Sequence, residues 1–107
     1  MEERLLPLGS AVKTVFSTYP LLIAGYYPVD IKRKKVSKYV AVDCALGFGA
    51  DGKAIMIDDA DIADVVSEGY TNERGDEFRS NIYLMYEQGG LKDIALQTLA
   101  QQEKKEG

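Results

Sequence analysis

The apolar residues of this 107-residue chain change their period once, at about Asp76, and that change calls for a sheet first and helices after it. Up to that point the apolar segments are short and β-branched, bounded by Gly, Pro and Asp, as half-buried strands require. Residues 11–16, 21–27, 39–46, 53–57 and 63–70 each read as a strand, the last being short enough to be compatible with a helix as well. The second is continuously apolar, so it is expected to lie centrally with both faces covered, with Gly25 at a bend or bulge. Pro28 and the polar stretch after it read as a loop or hairpin tip, and Asp58 to Ile62 as a capped single turn. Beyond Thr71 or Asn72, either a suitable N-cap, Phe78, Ile82, Met85 and Tyr86 recur at helical spacing. Gly89-Gly90 ends that helix, and a second follows with Leu91, Ile94, Ala95 and Leu99 on one face. The expected fold is α+β: a curved or barrel-like antiparallel sheet of about five strands, then two C-terminal helices. It forms a single domain over 5–100, with the sheet at about 11–70 and the helices at about 72–102.

An apolar share of 46% and a charged share of 28% suit a chain that folds on its own core. The net charge of −4 opposes binding to a phosphate backbone, so no nucleic-acid partner is expected. The stretch 21–27 is far below the ~20 apolar residues of a membrane helix. Glu2 and Glu3 stand where a secretory signal carries positive charge, so a cytoplasmic location is expected. One cysteine cannot form an internal disulfide, and Cys44, set in an apolar strand, is expected to be a buried, unreactive thiol.

The chain has no histidine, which removes the commonest general base and metal ligand together. The acidic set Asp58, Asp59, Asp61 and Asp64 lacks the regular spacing, turn glycine and distal glutamate of a calcium loop, so a solvated, capped turn accounts for it better. Gly47 to Gly52 lacks the lysine-serine pair of a phosphate loop and precedes a strand, as a hairpin turn does. No catalytic residue, metal or cofactor is therefore expected.

Two features point to binding. Lys32, Arg33, Lys34 and Lys35 form a basic run flanked by Tyr26, Tyr27 and Tyr39. A solvated tip guarding strand edges is the favoured reading, docking on an acidic protein the second, and nucleic acid the third. Seven tyrosines against three phenylalanines and no tryptophan favour surfaces that are buried part of the time. On the first helix, Tyr83 and Leu84 lie off the Phe78/Ile82/Met85/Tyr86 stripe. That second face meets either the last helix or another chain, and core packing stays open for each tyrosine. Tyr83 and Leu84, with Tyr26, Tyr27 and the basic run, are assigned to a partner-binding or self-association surface.

The opening LLPLGS-A-V at 5–12, the apolar strand ending in Gly25, and the D-I-A-D-V-V-S-E-G-Y element ending at Tyr70 are similar, in that order, to an uncharacterised bacterial family. The resemblance spans about 5–80 and does not extend to the 27–38 loop or the glycine-rich turn. That family is a domain of unknown function encoded in type VII secretion loci of Gram-positive bacteria, beside LXG-type toxins and their small helical partners. The resemblance implies a cytoplasmic accessory role, a chaperone or targeting adaptor that binds a toxin or its helical partner before export. It supplies no catalytic residues. An immunity protein or antitoxin is the alternative, and an enzyme using carboxylates or tyrosine is a third class disfavoured by the missing histidine.

Overall fold

The computed structural model describes residues 5–48 and 53–106, with side chains through Gln101. A five-stranded antiparallel sheet is followed by two helices, as the change of period requires. Its strands are β1 (Ala11–Thr14), β2 (Leu21–Tyr26), β5 (Tyr39–Asp43), β6 (Ile55–Ile57) and β7 (Ile62–Ser67). They lie in the order β6-β5-β2-β1-β7. The helices are α1 (Glu73–Tyr83) and α2 (Leu91–Glu106), and the segment at 28–38 is a small hairpin of β3 (Val29–Asp30) and β4 (Lys35–Val36). Among the described residues the sheet is open, with β6 and β7 as its edges, and does not close into a barrel.

The most apolar strand, β2, takes the central place, paired with β1 and β5. Register sets Val12 beside Leu21, Ile23 beside Ala41, and Tyr39 beside Ile57, placing these side chains on one face. All are fully buried and join Leu5, Tyr27 and Val36 in one core. Each large aliphatic member contributes about 1.5–3 kcal/mol by leaving water. The other face of β2 is less covered than its composition implies, since Leu22 is half-buried and Ala24 exposed. Both helices sit on the Val12/Leu21 side, so the open face of the sheet has no second layer among the described residues. The expected bulge is present: the register shifts between Ile23 and Gly25, and a Cβ on Gly25 would lie 2.8 Å from Val40.

The LPLGS segment ties the molecule together ahead of β1. Tyr39 Oη accepts from the Leu6 N–H (3.0 Å), and Tyr26 Oη donates to the Leu6 carbonyl (2.6 Å). Gly9, at φ 86°, turns the chain so that its N–H reaches the Ile23 carbonyl at 2.8 Å. Ser10, wholly buried, accepts from the Gly69 N–H at 3.0 Å. It thereby fastens the chain just beyond β7 to the start of β1.

Asn72 is the N-cap of α1, its side chain accepting from the Gly75 N–H at 2.8 Å. The helix buries a face rotated from the expected stripe. Ile82, Tyr83 and Tyr86 pack against the core, Arg79 keeps its side chain 12% exposed, and Phe78 and Met85 face solvent. Arg79 at i, Ile82 at i+3, Tyr83 at i+4 and Tyr86 at i+7 form the true inner stripe, which a purely apolar pattern misses because an arginine opens it. A π-turn (Leu84–Gln88) closes α1 with the Gly89 N–H on the Leu84 carbonyl at 2.7 Å. Gly90 at φ 78° reverses the chain, and Ala95, Leu96 and Leu99 of α2 complete the core cover.

Candidate partner-binding surface

The end of β2 and the start of β5 bring Tyr26 opposite Tyr39 in register, with ring centroids 6.1 Å apart. Phe78 of α1 approaches Tyr26 at 6.3 Å, and Tyr86 stacks on Tyr27 at 4.3 Å with the planes 4° apart. Tyr27 holds a left-handed backbone (φ 52°), which returns the chain to β5 with its N–H on the Lys38 carbonyl at 2.9 Å. Burial pushes the Tyr39 phenol up to about 12, against the hydrogen bond from Leu6. Burial also raises Tyr27, and the Glu87 carboxylate that accepts from its hydroxyl at 3.4 Å raises it further. Tyr26 is raised by burial, with Arg79 opposing. These rings form the joint between sheet and helices, and Tyr27 is buried.

The basic residues crown the β3–β4 hairpin. Lys32 and Arg33 are exposed, and Arg33 turns back to Asp30 through its N–H (3.0 Å) and Nε (3.7 Å). Lys34 sits at φ 53° in the tip. Lys35 reaches Asp58 at 3.1 Å, and Lys38 pairs with Asp59 while lying 5.8 Å from the Tyr83 ring centroid. A shallow cleft between the sheet and the helical hairpin is lined by Lys38, Asp58, Asp59, Tyr83, Glu87 and Lys92, with Lys92 3.6 Å from Glu87. Lys38 and Lys92 each pair with a carboxylate of the lining, and the third, Asp58, is met by Lys35 from outside it. The structure thus brings Tyr26, Tyr27, Lys35 and Tyr83 around one joint and leaves Lys32, Arg33 and Leu84 apart on the surface.

The acidic turn is a 3₁₀ turn (Asp59–Asp61) in which Asp61 Oδ2 accepts from the Asp58 N–H at 2.9 Å and Asp58 Oδ1 accepts from the Lys38 N–H at 2.9 Å. The carboxylates serve the backbone, as a capped turn should. No group of three or more metal-ligating side chains converges among the described residues. Cys44 corrects the sequence reading: β5 ends at Asp43, whose carboxylate caps the turn after it, and the thiol is exposed. The rest of the glycine-rich turn, Gly49 to Gly52, lies outside the described residues.

Exposed apolar side chains are spread over the surface, Ile31 on the β3–β4 hairpin and Leu46 and Phe48 after β5 among them, and two further sets lie on the helices and beside β7. Leu84, Met85 and Ile94 lie on the helical hairpin. Along the β1–β7 side of the sheet run Val15 and Phe16, then Val65 and Val66, then Tyr70 (82% exposed). Sequence reasoning missed the second set because Val65 and Val66 look like core residues. Only the strand order, which puts β7 at an edge, exposes them.

No helix among the described residues is long and apolar enough to cross a membrane. No curated protein and no solved structure matches the chain. A family model described as Domain of unknown function (DUF4176) matches residues 5–78, the sheet and the first half of α1. The three segments that carry the sequence resemblance supply β1, β2 and β7 of this sheet, and the chain belongs to the DUF4176 domain family.

Proposed function

We propose that the chain is a non-catalytic, cytoplasmic protein-binding factor, a chaperone or targeting adaptor for an LXG-type toxin exported by a type VII secretion system. The observation that carries the binding role is the set of apolar side chains, Val65, Val66, Phe16 and Tyr70 among them, that stand in solvent on a folded core. Such side chains suit covering an apolar stretch of a partner. The toxin and its secretion route rest on the resemblance of the LPLGS and D-I-A-D-V-V-S-E-G-Y segments.

One observation favours a second reading, an immunity protein. Between Lys53 and Arg74 the chain carries six acidic residues and no cation, and although Lys35 and Lys38 pair with Asp58 and Asp59, the exposed Asp64, Glu68 and Glu73 suit contact with a basic active site. The two readings separate by where the toxin is held. An adaptor retains the N-terminal export region of a toxin encoded beside it, an immunity protein the C-terminal toxic region. Pull-down with each half is expected to retain the export region. Retention of the toxic half alone transfers the reading to immunity, and retention of neither removes both.

A further inference from the structure

We propose that the outer edge of β7 (Ile62–Ser67) is the docking site for an extended, lysine- or arginine-bearing segment of the partner, which adds to the sheet by main-chain pairing. This deepens the reading of the chain as a protein-binding factor and rests on it. β7 pairs with β1 on one side only, and no described strand covers its other side. A bare edge is normally kept short or guarded by lysine, proline, other charges or bulges, and the guards β7 has are Asp64 and its two register shifts with β1. The opposite edge, β6, is short, with three residues. β7 has six and contains neither lysine nor proline, and its outer residues Val65 and Val66 are exposed β-branched side chains of the kind that flank an added strand.

Charge selects the occupant. Asp64 and Glu68 are exposed and have no ion pair among the described residues, and the register places only Lys13 across from Asp64. With no cation between Lys53 and Arg74, the whole edge is acidic. A second copy offering the same strand would bring a second Asp64 and Glu68 onto one ribbon, where like charges repel. Register shifts between Ala11 and Val12 and between Lys13 and Thr14 also bend β7, so two rigid copies would not lie flat together. A flexible segment can follow that bend, and one bearing lysine or arginine gains at each end from the carboxylates.

The test uses the full chain and a synthetic peptide of alternating valine and threonine with lysines at both ends, beside a glutamate-ended twin. Amide shifts and hydrogen exchange are followed residue by residue. The lysine-ended peptide is expected to bind about tenfold tighter than its twin or better, slowing exchange within 62–67. Exchanging Asp64 and Glu68 for lysine, a surface change that spares the core, should invert the preference. N-methylation of every second peptide amide should abolish binding in one phase and spare it in the other, since only alternate amides face the edge. Absence of binding, protection confined to the helical hairpin, or equal tolerance of both methylation phases overturns the proposal. So does protection of 62–67 that rises with protein concentration alone, which assigns the edge to a second copy. If the toxin is retained in pull-down by the unaltered chain and equally by the charge-reversed variant, the edge proposal fails while the binding role stands. If neither half of the toxin is retained, the binding role fails independently of the peptide result.

Discussion

At the scale of single residues, the positions that carry the family resemblance do structural work. Gly69 is the clearest: a Cβ there would lie 2.1 Å from the Leu8 carbonyl and 2.8 Å from the Ser10 nitrogen, both backbone atoms that cannot step aside. Gly69→Ala is therefore expected to destabilise the domain on the order of 3 kcal/mol, read as a lowered melting temperature. Ser10→Ala, which strips the acceptor from the Gly69 N–H, should cost about 1–3 kcal/mol. The buried phenols set a pH limit. Tyr39 is pushed up to about 12 in the folded chain, and Tyr26 and Tyr27 are raised too, whereas all three return to ~10 on unfolding. The folded state therefore binds more protons between the two values. Stability is full below pH ~10 and falls as pH rises through the folded values. A tyrosinate absorbance titration should show part of the signal from the seven tyrosines appearing late and together with loss of the fold. A smooth titration near 10 with the fold intact would contradict this burial.

Among elements, the strands were legible wherever composition and alternation agreed, and β2 could be placed at the centre because nothing else in the chain is as apolar. Ile23→Asp puts a charge into a site 1% exposed and should unfold the domain, as judged by loss of a cooperative melt. Leu84→Ser, at a position 49% exposed, should shift stability by no more than ~0.5 kcal/mol. Tyr83, expected beside Leu84 on an outer face, instead packs on the core, so polar replacement of Tyr83 should destabilise where Leu84→Ser does not. Helix rotation was the part that could not be read. Arg79 lies in the inner stripe with its guanidinium against Asp76 and its stem buried, and Phe78 is left outside. Cys44 was misplaced by a similar cause. A run of apolar letters continues past Asp43, but the strand ends there because the Asp43 side chain accepts from the N–H groups of Ala45 (2.8 Å) and Leu46 (3.2 Å) and turns the chain. The basic hairpin was legible as a tip. The acids that Lys35 and Lys38 would meet were not, because Asp58 and Asp59 come from the far side of the glycine-rich turn.

For the molecule as a whole, the family match ends at residue 78, yet the core does not. Tyr27, Val36 and Tyr39 are buried in one cluster against which Ile82, Tyr83, Tyr86, Ala95 and Leu96 pack, all of them beyond that boundary. The sheet cannot bury its apolar face alone, since a sheet with one apolar face needs a second layer. Removing everything after Phe78 would open the Tyr27–Tyr86 stack and leave the Glu87 contact to Tyr27 unmade. Five half-buried apolar side chains would go with it, a loss of several kcal/mol against a total of about 5–15 for a domain of this size. The chain ending at Phe78 is therefore expected to lose its cooperative melt and to bind a hydrophobic dye. A chain ending at Gln101, which keeps Leu99, should melt cooperatively near the full-length value. A stable, cooperative 78-residue form would mean that the helical hairpin is an appendage to the sheet and not its second layer.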